Sequence, residues 1–150
     1  MFKILSKSTS ILLLLVTATV LFSGCVNDTE SEEAETYTNL IWQDEFNYTG
    51  LPDSEKWGYD VGGNGWGNNE LQYYQPENTE VRDGYLIITA KNEIAGSQSY
   101  TSSRIKTQAL QSFQYGRIDI RAALPQGQGI WPALWMLGDS YSTVGWPACG

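Results

Sequence analysis

The sequence predicts an all-β protein of the antiparallel sandwich or barrel type. Short apolar or alternating runs recur at intervals of roughly 10–15 residues, without a helical period between them. The chain is also rich in residues that favour turns and strands, with 15 Gly, 9 Tyr and 6 Trp. Its 150 residues suit one domain at most.

The first predicted strands lie on either side of a turn-rich segment. Residues 40–42 are apolar, residues 47–53 are turn-rich, and residues 57–61 alternate between apolar or aromatic and small or polar side chains. Residues 62–67 follow with four glycines. We interpret them as a loop whose backbone approaches a neighbouring group closely.

The strongest local prediction is a hairpin over residues 80–90. Asp83 and Gly84 lie between two runs that favour β structure, which is typical of a two-residue turn. Residues 100–107 and 115–124 alternate as well. In the second of these runs Asp119 falls between two arginines and is predicted to form an exposed ion pair.

Residues 130–137 are apolar at every position, which predicts a strand covered on both faces. In such a strand Trp131, Ala133 and Trp135 share one face. Two indole rings separated by a small residue make a flat platform that suits the C–H faces of sugar rings. From composition alone, burial of both tryptophans in the core is an equally good interpretation.

Composition excludes several classes of function. The chain has no histidine, which excludes Ser-His and Cys-His nucleophilic catalysis and zinc sites with histidine ligands. Its two cysteines are too few for an all-cysteine zinc site. The net charge of −8 argues against nucleic acid as a partner.

The N-terminal residues 1–24 are predicted to be an export signal. Lys3 and Lys7 precede an apolar stretch at 11–22 that is too short to span a bilayer, and small residues precede Cys25. This pattern resembles a bacterial lipoprotein signal. The resemblance implies lipidation of Cys25 and anchoring to the outer membrane or cell surface; an ordinary signal with an incidental cysteine is the alternative. Residues 25–36 are then an acidic, disordered linker.

Five segments, in order, resemble glycoside hydrolase family 16, and specifically its laminarinase-type endo-β-1,3-glucanases. The similarity extends over residues 39–150. Its strongest segments are 42–46 (Trp-Gln-Asp-Glu-Phe), 65–74 (Gly-Trp-Gly-Asn-Asn-Glu-Leu-Gln-Tyr-Tyr), 103–107 (Ser-Arg-Ile-Lys-Thr), 115–118 (Tyr-Gly-Arg-Ile) and 129–138 (Gly-Ile-Trp-Pro-Ala-Leu-Trp-Met-Leu-Gly).

The resemblance implies a jelly-roll β-sandwich with a cleft for β-glucan. Trp131 and Trp135 would line subsites on the non-reducing side of the cleaved bond, and Arg104 would donate to sugar hydroxyls, with a rim salt bridge as its alternative role. Asn68 and Asn69 would bind the same sugars or simply form the turn. Trp66 would stack further out.

The resemblance also places the catalytic carboxylates directly after Gly150. Residues 37–150 are therefore expected to be the N-terminal half of the catalytic domain, inactive alone and poorly folded. The resemblance implies no required cofactor, and it implies a structural calcium with Glu45 and Gly84 as candidate ligands. The complete protein is expected to cleave β-1,3 or β-1,3-1,4 glucan with retention. A non-catalytic, β-glucan-binding surface lipoprotein is the alternative.

Overall fold

The structure, a computed structural model, describes residues 1–7 and 36–150. Within these residues it consists of short strands, one 3-10 helix and one short α-helix. The strands are β1 Phe2–Lys7, β2 Tyr37–Asp44, β3 Gly58–Asp60, β4 Gln72–Tyr74, β5 Thr79–Arg82, β6 Tyr85–Ile88, β7 Tyr100–Ser102, β8 Arg104–Lys106 and β9 Arg117–Ile120. The 3-10 helix is Pro76–Asn78, and α1 is Tyr141–Val144.

The largest sheet has three strands in the order β2-β1-β9. The central strand β1 is antiparallel to both neighbours: Ile4 lies opposite Trp42 on β2 and opposite Ile118 on β9. Two register shifts interrupt the β1–β2 ladder, between Ile4 and Leu5 and between Ser6 and Lys7. The structure thus pairs residues 2–7 with β2 and β9, whereas the sequence predicts that these residues belong to an export signal.

Three further strand pairs complete the described fold. β3 pairs with β8 and β5 pairs with β6, both antiparallel, whereas β4 and β7 are parallel. Isolated bridges from Gly50 to Val81 and from Gly62 to Tyr74 tie the pairs together. The predominance of antiparallel strands confirms the predicted all-β class. The parallel pair departs from the expected purely antiparallel pattern.

The predicted hairpin is confirmed. β5 and β6 are joined by Asp83 and Gly84, whose φ angles of 55° and 78° place both residues in the left-handed region. That combination belongs to a type I′ turn, which matches the twist of the flanking strands.

A small aromatic core lies beside the three-stranded sheet. Phe46, Trp57 and Val81 are its buried members, and Phe2 and Trp42 pack against them. The buried carboxylate of Asp44 adjoins this core and accepts hydrogen bonds from Trp57 Nε1 at 2.9 Å, from the Phe46 amide at 3.0 Å and from the Tyr48 hydroxyl at 3.1 Å. These three donors satisfy a charge that would otherwise be costly to bury.

The expected strand at 130–137 is not observed. These residues have no strand assignment, and Trp131, Leu134 and Met136 are 73%, 53% and 65% exposed. The prediction of a strand covered on both faces was therefore wrong for the described structure. An apolar run forms a strand only where a neighbouring strand pairs with it, and among the described residues no sheet includes this run.

Among the residues that the structure describes, no helix is long and apolar enough to cross a membrane. The predicted apolar stretch of the export signal, Cys25 and most of the predicted acidic linker lie outside these residues. The export signal, the lipidation and the linker stay predictions.

Candidate functional site

Arg104 is the centre of the candidate site. Its guanidinium carbon lies 5.0 Å from the centroid of the Trp66 ring and 4.8 Å from that of Trp135. Both distances are within the range of a cation–π interaction. The structure thus brings together three residues that the sequence analysis had nominated from three separate segments.

An ion pair fixes the direction of the Arg104 side chain. Arg104 on β8 lies opposite Asp60 on β3, and Arg104 Nε is 3.0 Å from Asp60 Oδ2. Lys106 Nζ contacts the other oxygen of the same carboxylate. Because Asp60 contacts Nε, the two terminal amino groups of the guanidinium retain their capacity to donate to a ligand. The salt bridge considered as an alternative role for Arg104 is present, and it is compatible with ligand binding.

The glycine-rich loop presents Trp66 to this arginine. Trp66 has a φ of 47°, and its indole nitrogen donates to the carbonyl oxygen of Gly62 at 3.2 Å. Gly63 allows the close approach predicted for this loop: a Cβ there would lie 2.6 Å from Gln98 Cγ. Gln98 Nε2 also donates to the Gly63 carbonyl at 2.6 Å. A side chain at position 63 would push the loop away from its support.

Glu70 is an acceptor for three side chains. Its Oε1 accepts from Asn68 Nδ2 at 3.0 Å, and its Oε2 accepts from Gln72 Nε2 and from the Tyr74 hydroxyl, both at 2.7 Å. Tyr74 in turn packs against Trp66, with ring centroids 5.6 Å apart. Glu70 therefore organises the loop that carries Trp66.

The same contacts shift two ionisation equilibria. Burial opposes ionisation of Glu70, but the hydrogen bonds from Asn68, Tyr74 and Gln72 and the charge of Arg104 outweigh it and lower the pKa of Glu70 below its usual value. Burial, followed by the hydrogen bond to Glu70, raises the pKa of Tyr74 to about 12. Glu70 is therefore an anion and Tyr74 a neutral donor at neutral pH. We refer to Asp60, Trp66, Glu70, Arg104 and Trp135 as the arginine cluster.

The other nominated residues lie in different settings. Trp131 is 73% exposed, in the same segment as Trp135. Asn68 is committed to Glu70, and Asn69 has a φ of 56°, as expected of an asparagine that forms a turn. Both asparagines are exposed.

Asp60, Tyr74 and Lys106 were missed by the sequence analysis, which also left Glu70 without a role. A period of two relates Lys106 to Arg104 and Tyr74 to Glu70, whereas Asp60 is brought opposite Arg104 only by the pairing of β3 with β8. Arg104 and Lys106 are two apart on β8, and Glu70, Gln72 and Tyr74 are spaced by two into β4, so each set shares a face.

The candidate calcium ligands do not form a metal site in the described residues. Glu45 Oε1 lies 3.3 Å from Lys3 Nζ, so an ammonium group already neutralises this carboxylate. Gly84 belongs to the hairpin turn. Within residues 1–7 and 36–150, no group of three or more His, Cys, Asp or Glu side chains is arranged to hold a metal ion. Calcium binding stays a prediction.

Other carboxylates close to the predicted motifs have structural partners. Asp44 is 2% exposed and is bonded into the core, and Lys56 Nζ lies 3.6 Å from its Oδ1. Asp119 Oδ1 pairs with Arg117 Nε at 2.9 Å, in agreement with the predicted ion pair. Neither carboxylate belongs to the arginine cluster.

Comparisons with known proteins agree on one family. Residues 8–149 match the family model described as beta-glucan synthesis-associated protein SKN1/KRE6/Sbg1. A beta-glucanase from Rhodothermus marinus is 54% identical over 116 residues, which are 74% of this chain and 41% of the relative.

Solved structures of laminarinases are similar to this chain in both fold and sequence. The laminarinase from Rhodothermus marinus superposes with a TM-score of 0.67 at 52% identity, over 71% of this chain and 45% of that one. The catalytic domain of the Thermotoga petrophila endo-1,3-beta-glucanase gives a TM-score of 0.70 at 43% identity, over 74% of this chain and 48% of that one. The chain thus spans less than half the length of these relatives.

Proposed function

Because this chain belongs to glycoside hydrolase family 16, on its laminarinase-type branch, we propose that the complete protein is an exported endo-β-1,3-glucanase, with β-1,3-1,4-glucan as a further substrate. The arginine cluster is its glucan-binding wall. The observation that carries the proposal is the Arg104 guanidinium held against both Trp66 and Trp135, at 5.0 and 4.8 Å from the ring centroids.

This arrangement has the chemistry that binds a glucose polymer. Indole faces pack against the axial C–H groups of pyranose rings, and guanidinium and amide groups donate to the hydroxyls. Trp135 is 53% exposed, so part of its surface is accessible to a sugar. Trp131, in the same segment, is 73% exposed and is likewise accessible to a sugar.

The proposed reaction is a retaining double displacement. One carboxylate attacks the anomeric carbon while a second protonates the leaving glycosidic oxygen, and water then releases the covalent intermediate. These two carboxyl groups must lie about 5–5.5 Å apart. As the resemblance of the sequence motifs implies, we propose that both carboxyl groups belong to the part of the complete protein that this chain, which spans less than half the length of its relatives, does not contain.

The activity is tested on the complete protein with laminarin as substrate and lichenan for mixed linkages. We expect release of reducing ends, with the first product in the β configuration by proton NMR. The 150-residue chain assayed alongside is expected to release none. An α-configured first product would exclude the retaining mechanism, and no release by the complete protein would exclude the hydrolase.

A non-catalytic β-glucan-binding protein is the second candidate. It is favoured by the description of the matching family model, which names proteins associated with β-glucan synthesis. Retention of the complete protein on insoluble β-1,3-glucan without release of sugar would support this function. The same binding wall serves both functions, because a fold does not determine the chemistry that it carries.

We further propose that the protein is lipid-anchored through Cys25. The support is the sequence pattern of residues 1–25. Radioactive palmitate should label the protein in a bacterial host, and Cys25→Ser should abolish the label and the membrane association. Cys149→Ser is the matched control, because this buried cysteine lies far along the chain and should not affect labelling. Unchanged labelling of Cys25→Ser would refute the anchor.

A further inference from the structure

Asp60 is the member of the arginine cluster that has two cationic partners. Its Oδ2 lies 3.0 Å from Arg104 Nε, and its Oδ1 accepts a hydrogen bond from Lys106 Nζ. The pairing of β3 with β8 places Asp60 opposite Arg104, and Arg104 and Lys106 share one face of β8 because they are two residues apart. One carboxylate is therefore shared by both cations of this strand.

Glu70 contributes a second negative charge to the same region. Burial opposes its ionisation, but hydrogen bonds from its neighbours and the charge of Arg104 lower its pKa, so Glu70 is an anion at neutral pH. The four side chains thus comprise two cations, Arg104 and Lys106, and two anions, Asp60 and Glu70. Their formal charges balance, although the guanidinium keeps its terminal N–H groups for a ligand.

These ion pairs are partly shielded from solvent. The side chains of Asp60, Arg104 and Lys106 are 16%, 25% and 36% exposed, whereas those of the pair Asp119 and Arg117 on β9 are 34% and 60% exposed. Charges that are partly buried are screened less by salt than charges on the open surface. Removing one of the four charges should therefore change which ligands the cluster accepts.

A glucan without acidic groups brings no counter-charge to an arginine. When such a polymer covers Arg104, neutral hydroxyls replace water around the guanidinium, which is costly for a cation that has no paired anion. Asp60 supplies this anion from within the protein, so a neutral sugar can cover the arginine. A sulfate or carboxylate on the polymer would instead be repelled by the negative charges of Asp60 and Glu70.

From these contacts we propose that Asp60 is a specificity-determining residue, which restricts the arginine cluster to uncharged glucans and excludes sulfated or carboxylated ones. Its carboxylate compensates the charges of Arg104 and Lys106, which would otherwise form a site for an anionic group on the polymer. The inference rests on the proposed glucan-binding function and adds to it the class of substrate, a neutral β-glucan.

The test compares the complete protein with its Asp60→Asn variant. Asparagine has the shape of aspartate without the charge, so the four side chains keep one uncompensated cation. Isothermal titration calorimetry measures binding of laminarin and of laminarin sulfate. The variant should gain affinity for laminarin sulfate by at least about tenfold, the value of a hydrogen bond to a charged group. Unchanged affinity for laminarin sulfate would overturn the proposal.

Asp119→Asn is the matched control for this variant. Arg117 Nε lies 2.9 Å from Asp119 Oδ1, so the substitution also frees an arginine from an ion pair and changes the net charge by the same amount. It should leave the binding of laminarin sulfate unchanged, because this pair lies outside the arginine cluster. An equal gain in both variants would assign the effect to net charge and would contradict a specific role of Asp60.

Two further variants of the complete protein separate charge from shape. Asp60→Glu keeps the negative charge and should still exclude laminarin sulfate. The double variant Asp60→Asn and Lys106→Gln restores the balance of charge and should lose the gained affinity. Strong binding of laminarin sulfate by either variant would show that charge compensation is not the cause.

If circular dichroism shows that Asp60→Asn does not fold, Glu70→Gln tests the same balance by removing the other anion. It should gain affinity for laminarin sulfate relative to Glu77→Gln, whose side chain is exposed outside the cluster, and equal affinities would overturn the proposal. Failure of the unaltered complete protein to bind laminarin would refute the proposed function itself. Binding of laminarin without any gain in these variants would refute only the role of Asp60.

Discussion

Arg104 combines an electrostatic role with a geometric one. Asp60 fixes its side chain at one end, and the rings of Trp66 and Trp135 contact its flat guanidinium group. A planar guanidinium can pair with a carboxylate and stack on aromatic rings at the same time, whereas an ammonium group cannot stack in this way. The residue therefore holds two aromatic surfaces from distant segments in one wall.

Replacing Arg104 by lysine should weaken glucan binding while the positive charge is kept. The loss of stacking and of directed donors should cost about 1.5–3 kcal/mol, or at least about tenfold in affinity for laminarin. Affinity electrophoresis in laminarin gels measures this effect. Arg82→Lys is the control, because Arg82 pairs with exposed carboxylates of the hairpin. The measurement is made on the complete protein, and equal retardation of its Arg104→Lys variant and the unaltered complete protein would contradict the assigned role.

Replacing Glu70 by glutamine should reduce the acid sensitivity of the glycine-rich loop. The pKa of Glu70 is lowered in the folded state, so its anion stabilises the fold above the ordinary value of 4.5. That contribution is lost as the pH falls through 4.5 and then through the folded-state value. Glutamine does not titrate and, as an amide, satisfies the three donors less well.

Hydrogen exchange over residues 62–74 measures this difference, after correction for intrinsic rates, at neutral pH and well below pH 4.5. We expect the unaltered chain to lose protection on acidification and Glu70→Gln to be less protected at neutral pH but less sensitive to acid. Glu77→Gln, a substitution of an exposed glutamate, should behave like the unaltered chain. Identical acid sensitivity in all three proteins would show that Glu70 does not organise the loop.

At the scale of elements, the hairpin of β5 and β6 shows local sequence determining local structure. Gly84 has a φ of 78°, and a Cβ there would meet only Asn47 Oδ1 at 3.9 Å. A methyl group at position 84 therefore has enough space, and only the strain of the positive φ angle opposes it.

Gly84→Ala should destabilise the hairpin by about 1 kcal/mol, which corresponds to roughly fivefold faster exchange of the β5 and β6 amides. Gly58→Ala is the control, because Gly58 lies in β3 and a Cβ there meets only the Lys106 carbonyl, at 3.9 Å. Equal exchange in the two variants would contradict the strain argument.

Local patterns predicted most of the strands, including those within 57–61, 100–107 and 115–124, but they predicted the pairing only of the hairpin, whose two strands are adjacent in the chain. The Asp83–Gly84 turn and the strands on either side of it were identified because the turn itself sets their register. The parallel pairing of β4 with β7 is not encoded in adjacent residues, since 25 residues separate the two strands. The role of β1 was missed because its partners lie on β2 and β9, far along the chain.

The site was predictable in its residue types but not in its connections. Trp66, Arg104 and Trp135 were nominated from separate motifs, and only the fold brings the guanidinium against both rings. Glu70 has three acceptor contacts that depend on the loop conformation, including the positive φ of Asn69. Such contacts are properties of the folded backbone and not of residue spacing.

At the scale of the whole molecule, the described residues expose many large apolar side chains. Residues 130–136 are all exposed, and Met136 and Trp146 are 65% and 74% exposed. Contiguous apolar surface of this kind favours association.

The 150-residue chain should therefore self-associate as its concentration rises, and sedimentation velocity measures this directly. The double substitution Leu134→Lys and Met136→Lys should shift the distribution toward the monomer, because it places charges within the apolar run. Ile94→Lys is the control: Ile94 is 85% exposed but lies in a different loop. A purely monomeric unaltered chain would refute the prediction.

The parallel pairing of β4 and β7 bears on the order in which the molecule assembles. The chain must leave β4, complete the hairpin of β5 and β6, and return before β7 can align beside it. Loop closure of this length costs entropy before any contact compensates it. Glu70 precedes β4, and Arg104 follows β7 by two residues. The contacts between the segments that carry Glu70 and Arg104 are therefore expected to form late in folding, after the hairpin of β5 and β6.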